Sequence, residues 1–577
     1  MTEEKKLWKK GGGWLLESPE AIYTPEDFDE SVKEIARIAR TFVEREVLPL
    51  LDRMEHGELE LNVPLMRKAG ELGLLAIDVP EAYGGLDLPK VISTVVAEEL
   101  SGTGGFSVTY GAHTSIGTLP LVYFGTEEQK RKYLPRLASG EWIAAYCLTE
   151  PGSGSDALAA RTRATLSEDG KYYILNGVKQ WISNAGFAQL FTVFAKVDGE
   201  HFTAFLVERD TPGLSFGPEE KKMGIKASST RQVILEDVKV PVENVLGEIG
   251  KGHKIAFNVL NVGRYKLGAG AVGGAKRALE LSARYAAQRV QFGRPIGRFG
   301  LIQEKLGEMA SRIYAAESAV YRTVGLIDEA LLGKEGAEAV MAGIEEYAVE
   351  ASIIKVLGSE VLDYVVDEGV QIHGGYGYSQ EYPIERAYRD ARINRIFEGT
   401  NEINRLLIPG MLLRRAMKGQ LPLFQAAMKL QKELLEPSFE EPEDLELHQI
   451  AGLKKLFLMV AGLAAQRYGQ GVEEEQEVLA AAADILIDAY AAESAVLRAR
   501  RLGDLAQAMA RVYLVQALDR AQMRALGVLP RLVEGDEARV VYSAARRLTK
   551  REPVDLVALR RKVAEAVLEA QGYPIPR

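Results

Sequence analysis

Between residue 26 and about residue 140 the chain reads as helix. In DFDESVKEIARIARTFVEREVLPLL apolar residues recur at three- and four-residue steps, and VISTVVAEELSGTGG closes on glycines that stop a helix. From about 142 to 248 the period changes. KYYIL-Asn176-Gly177-VKQWIS predicts a hairpin with a two-residue turn, FTVFAKV-DGE-HFTAFLVE a second hairpin, and RQVILEDVKVP a further strand ending at a proline. These strands predict a small antiparallel β-domain. From about 249 to 416 the helical period returns in KRALELSARYAAQRV, LIQEKLGEMASRIYAAESAVYRTVGLIDEALL and MAGIEEYAVEASIIKVLGSEVLDYVVDEGVQI, the pattern of a helical bundle.

Residues Pro437 to Glu446, rich in proline and acid, read as a linker. An Ala/Leu/Arg-rich helical region follows from 447 to 577. The expected division is 1–141 N-terminal helical, 142–248 β, 249–436 helical bundle, and 437–577 linker with an extra helical domain. With 577 residues the chain exceeds one ordinary core, so roughly two to four domains are expected. Gly268-Ala-Gly-Ala-Val-Gly273 spells GxGxxG, but FNVLNVGRYK precedes it where a strand is required, and no acid follows at the required distance. The small residues there predict close helix packing.

Composition narrows the function. The chain is 47% apolar and 26% charged, with 71 basic and 81 acidic residues and a net charge of −10, which argues against nucleic acid or an anionic membrane as main partner. Cys147 is the single cysteine, so no internal disulfide or cysteine-based zinc site can form, and a reducing compartment is expected. The six histidines are scattered, and no catalytic metal is expected. The N-terminal stretch lacks the apolar core of a signal peptide. The longest apolar run near the C-terminus, Leu456 to Ala465, has ten residues, against about 20 for a membrane span. A cytoplasmic location is the expectation.

Glu398 carries the candidate chemistry. It sits between Ile396-Phe397 and Gly399-Thr400. A carboxylate in apolar surroundings has its pKa raised, as suits a general base, and Gly399 permits a tight turn that projects it. Four further motifs surround this reading. Tyr146-Cys-Leu-Thr-Glu-Pro-Gly-Ser-Gly-Ser-Asp156 offers backbone N–H groups and hydroxyls to a phosphate or a ring edge. Arg289-Val-Gln-Phe-Gly293 offers a guanidinium fork for a pyrophosphate and a flat ring for a base. Gln371-Ile-His-Gly-Gly-Tyr-Gly377 allows close backbone approach, and the last, Gly263-Arg264-Tyr265, supplies a cation.

Together with Trp181-Ile182-Ser183, these segments and the string YRDARINRIFEGTNEINR at 388–405 closely resemble the acyl-CoA dehydrogenases. FEGTNEI resembles most the long- and very-long-chain branch. The resemblance runs over roughly residues 25–420, and the C-terminal region resembles the very-long-chain extension. It implies a mostly α fold: N-terminal helical domain, middle antiparallel β-domain, four-helix bundle and extra helical domain. It implies FAD as cofactor, fatty acyl-CoA as substrate and electron-transferring flavoprotein as acceptor. It also implies a homo-oligomer, a dimer being favoured, with the FAD site shared between subunits.

By the same resemblance Glu398 is the α-proton-abstracting base, its backbone N–H helps hold the thioester oxygen, and the β-hydride passes to flavin N5. Some relatives carry the base at the position of Gly263 instead, but here that position is glycine and Glu398 is present. Ser155, Arg264 and Gly399 are implied at the substrate. Tyr146, Leu148, Thr149, Gly154, Ser155, Trp181, Ser183, Arg289, Gln291, Phe292, Gln371, Gly375, Thr400 and Glu402 are implied at FAD, those of the 289–292 and 371–375 segments across a subunit interface. Two rivals remain: an acyl-CoA oxidase passing electrons to oxygen, and a non-catalytic assembly scaffold. Peripheral membrane contact by the C-terminal region is a minor alternative.

Overall fold

Asp29 caps the first long helix, Glu30–Phe42, by accepting the Val32 amide at 3.0 Å. The helix buries Val32, Ala36, Ala39 and Phe42 on one face and packs against Lys90–Leu100, a helix buried on almost every side. That second helix stops at the glycines: Gly104 takes φ 55°. The computed structural model describes residues 6–436 and 441–577, so residues 437–440 of the expected linker lie outside the described residues. Leu445 and Glu446, read from sequence as linker, form the first turn of the helix Leu445–Tyr468, which Asp444 caps.

The sheet holds eight strands: β1 (Ala144–Cys147), β2 (Arg163–Leu166), β3 (Tyr172–Ser183), β4 (Leu190–Val197), β5 (His201–Glu208), β6 (Leu214–Phe216), β7 (Thr230–Pro241) and β8 (Val245–Leu246). Its order is β6-β7-β3-β2-β4-β5-β8, with β1 also on β4. Most pairings are antiparallel, but β1 and β2 both run parallel to β4. The DGE hairpin forms, with Val197 opposite His201. The Asn176-Gly177 hairpin does not: β3 runs straight through it, paired with β7, and carries a bulge there. Asn176 spends its side chain on Asp237 across the ladder, and Thr162 occupies the space a side chain at 177 would need.

The bundle is built on Gly252–Gln288, Gly300–Leu331 and Ala348–His373. The GxGxxG string lies inside the first of these. A Cβ on Gly268 would stand 3.0 Å from the Ile354 carbonyl and one on Gly358 3.0 Å from that of Gly268, so the glycines permit the helix crossing. The third predicted segment breaks at Tyr347, with a short helix Ala337–Glu346 before it. Beyond it, Leu445–Tyr468, Gln476–Leu502, Asp504–Leu532, Gly535–Leu548 and Leu556–Ala570 form the extra helical region, which packs on Gly300–Leu331. Among the described residues one stretch, Leu445–Glu474, is long and apolar enough to cross a membrane; 61% of its apolar window is buried inside the protein, as in a core helix. Residues 7–18 pack on this far end of the chain: Trp14 lies under Tyr490, and the Lys454 ammonium donates to the Trp14 carbonyl at 2.7 Å.

Candidate active site

Two cavities meet at Glu398. The larger, about 1590 Å³, lies between the sheet and the bundle; the smaller, about 410 Å³, continues among Lys90–Leu100, Gly252–Gln288 and Ala348–His373. Ala112, Ile116, Ser183, Ile393 and Phe397 border both. Glu398 itself has φ 58° and is followed by Gly399 at φ 76°, so two successive left-handed residues turn the carboxyl toward the junction. Its Oε2 is enclosed and has no hydrogen-bond partner among the described residues. Burial pushes its pKa up to about 7, against the pull of Arg264 and Lys355.

The turn is held from several sides. Arg264 directs Nε to the Glu398 carbonyl at 3.3 Å, not to its carboxylate. Asn404 Nδ2 donates to the Gly399 and Thr400 carbonyls, both at 3.0 Å, and Lys355 Nζ to the Gly399 carbonyl at 2.8 Å. Thr400 spends its hydroxyl as a helix cap on the Ile403 amide. Gly263 lies directly against the carboxyl: a Cβ there would stand 2.6 Å from Oε2.

The 146–156 segment leaves β1 and is fixed by a buried ion pair. The Glu150 carboxylate takes the Lys179 ammonium of β3 at 2.8 Å and the Thr162 amide at 3.0 Å. This pairing presents Tyr146, Leu148, Thr149, Gly154 and Ser155 to the large cavity. The Tyr146 hydroxyl is buried with no partner among the described residues, and burial and Glu398 both raise its pKa. A register shift in β3 puts Trp181 at φ 61° and leaves it 57% exposed, with its ring on the cavity. Ser183 ends the strand beside it.

The expected site residues thus fall into two groups. Tyr146, Leu148, Thr149, Gly154, Ser155, Trp181, Ser183, Arg264, Glu398, Gly399 and Thr400 line one cavity. Arg289, Gln291, Phe292, Gln371 and Gly375 do not; they lie on a separate exposed patch, where Arg289 stacks over Tyr376 at 5.5 Å and Phe292 is 95% exposed. Glu402 is exposed at the start of the helix Asn401–Met417, outside the cavity lining. Sequence reasoning missed Lys355 and Asn404. A lone lysine in the apolar run SIIKVLG was a signal for the first.

A turn that presents a buried carboxyl to two joined cavities, between a β-sheet and a helical bundle, fits a flavin-dependent dehydrogenase. Family models bear this out: acyl-CoA dehydrogenase N-terminal domain matches residues 29–141, middle domain 145–238, and C-terminal domain both 250–413 and 452–547. The chain is 53% identical to a probable acyl-CoA dehydrogenase of Bacillus subtilis, over 98% of this chain and 99% of that one. It is 40% identical to the human mitochondrial very long-chain specific acyl-CoA dehydrogenase, over 75% of this chain and 69% of the relative. A crystal structure of an acyl-CoA dehydrogenase complexed with FAD from Bacillus anthracis superposes with TM-score 0.96 at 54% identity, covering 98% of this chain and all of that one. The chain belongs to the acyl-CoA dehydrogenase family. It is an oxidoreductase of fatty acyl-CoA with FAD as cofactor.

Proposed function

We propose that the protein dehydrogenates long-chain fatty acyl-CoA to the trans-2-enoyl-CoA, with Glu398 removing the α-proton. The carrying observation is the Glu398 carboxyl at the junction of the two cavities, with its pKa lifted to about 7. A base works best when its pKa lies near the working pH. The residues present fit FAD: the large cavity carries the flat Trp181 ring, the Thr149 and Ser183 hydroxyls, the buried Tyr146 hydroxyl and open space at Gly154. Bound there, FAD supplies a two-electron acceptor for the β-hydride.

The chain's own residues hold the thioester. The backbone N–H of Glu398 donates to the carbonyl oxygen, where enolate charge develops. Glu398 Oε2 then takes the α-proton, and Arg264 keeps the carboxylate side of that equilibrium accessible. Arg289, Gln291, Phe292, Gln371 and Gly375 do not line this cavity, which supports a dimer with shared sites. Electron-transferring flavoprotein is the proposed acceptor, and the cytoplasm the proposed location.

The small cavity supports the long-chain reading. It continues from Glu398 past Ala97, Gly102, Gly270 and Gly274, whose small side chains leave it open. Glu398→Gln should bind FAD and acyl-CoA without bleaching of the flavin under anaerobic mixing; normal bleaching sinks the assignment of the base. Across acyl-CoAs of increasing length, Ala97→Leu should move the best substrate toward shorter chains. An unchanged length profile would separate this cavity from the acyl chain. The same mixing with oxygen in place of dye distinguishes a dehydrogenase from an oxidase.

A further inference from the structure

Lys355 lies mid-way along the Ala348–His373 helix, within Ser352-Ile353-Ile354-Lys355-Val356-Leu357, and is fully buried. A buried ammonium must be matched by acceptors or lose its charge. No carboxylate pairs with it among the described residues. Its acceptors are the Gly399 carbonyl at 2.8 Å and Asn401 Oδ1 at 2.6 Å. Both belong to the segment that carries Glu398. Asn401 is locked in turn, donating Nδ2 to Ser359 Oγ at 3.0 Å.

The turn needs such support. Glu398 at φ 58° occupies a backbone region that costs a residue with a Cβ roughly 1–2 kcal/mol. Strained conformations persist only where surrounding contacts over-determine them. The groups facing Glu398 come from three elements: Arg264 from the Gly252–Gln288 helix, Lys355 from Ala348–His373, and the Tyr146 phenol from β1. The charges of Glu402 and Glu360 also act on Lys355. Burial brings Lys355 down to about 7 while Glu398 pulls it back up.

We propose that Lys355 is a positioning residue for Glu398: it pins the left-handed Glu398-Gly399 turn from beneath, through the Gly399 carbonyl and Asn401, and its charge holds the carboxylate in its proton-accepting form. This rests on Glu398 being the base. Removing a nearby positive charge favours the neutral carboxyl, so the ionised base then appears only at higher pH.

Two variants separate the parts of this role. Lys355→Gln keeps an N–H donor and loses the charge; Lys355→Met loses both. With the FAD-loaded enzyme, saturating palmitoyl-CoA and an artificial dye acceptor, the acid limb of kcat should move up by about one pH unit in Lys355→Gln. The loss of kcat should be about tenfold in Lys355→Gln and about a hundredfold in Lys355→Met, as for a misplaced reacting group, with KM and FAD content near those of the parent. An acid limb left at its parent position in FAD-loaded Lys355→Gln overturns the proposal, as does a kcat loss that merely tracks lost FAD. Should the Met variant not fold, the Gln variant alone decides. Glu398→Gln is run beside them: if it turns over, the base assignment itself fails, whereas an inactive Glu398→Gln with an unmoved limb in Lys355→Gln removes only Lys355.

Discussion

At Gly263 the room for one methyl group is already taken by a carboxyl. A Cβ would stand 2.6 Å from Glu398 Oε2 and 2.8 Å from its Cδ. The colliding atoms are the far end of a flexible side chain, so Gly263→Ala should displace the proposed base, Glu398, and leave the fold standing. The expected outcome is a loss of kcat/KM on the order of a hundredfold, with unchanged FAD content and an unfolding temperature close to the parent's; near-parent kcat/KM would show that the carboxyl has room to move. The lining of the large cavity was legible because three of the motif segments, 146–155, 181–183 and 398–400, all border it. Asn404 was not, because it bonds to backbone carbonyls and no motif marks that, and Lys355 shows in the sequence only as a lone lysine in an apolar run, which does not say what it holds. Only the fold brings position 355 beneath position 399.

Among the elements, helices were more legible than strands. Helical period runs through GHKIAFNVLNVGRYKLG without interruption, and that helix is 37 residues long. Asn176-Gly177 misled because the same dipeptide serves a tight turn and a bulge, and what decides is the opposite strand: β7 offers a partner along the whole length of β3. One joint between elements titrates. His113, in the short helical stretch Ala112–Gly117, is fully buried; one ring nitrogen faces the Leu137 carbonyl at 2.9 Å and the other accepts the Ala144 amide of β1 at 2.9 Å. That leaves no place for a second ring proton, and burial lowers its pKa from 6.5 to about 4. The unfolded chain therefore binds the proton more readily than the fold. The stability this imidazole gives is complete above about pH 6.5 and drains as pH falls toward 4, by up to roughly 3 kcal/mol. His113→Gln should unfold at lower temperature than the parent at pH 7.5, with the gap narrowing at pH 4.5. A constant gap would mean that His113 does not titrate on unfolding.

Across the whole molecule, distant parts of the chain are joined by a buried charge cluster. Glu26, Glu98 and Glu317 face Lys276, Arg498 and Arg577, drawn from six separate segments. Arg498 meets Glu317 and Glu26 at 2.6 Å each, and Lys276 meets Glu98 at 2.7 Å. The surrounding cations hold the Glu317 carboxyl far below the usual range despite its burial. Removing Arg577 leaves three carboxylates facing two cations, an excess of buried negative charge that destabilises the fold. Arg577→Ala should therefore lower the unfolding temperature by several degrees, and Arg577→Lys by less, in a calorimetric scan. Equal unfolding temperatures for Arg577→Ala and the parent would place this arginine outside the balance. No sequence pattern announces such a cluster, since its members are spread from residue 26 to residue 577 and meet only after folding.

The division of the site residues into a cavity group and an outlying patch has a genetic consequence. If each FAD draws on the cavity of one copy and the patch of another, a defect in Glu398 and a defect in Arg289 injure different sites when carried by different copies. A mixed pair then holds one site with both lesions and one with neither. Two alleles that are each dead alone would restore part of the activity when expressed together, and a single copy could be catalytically whole only in company.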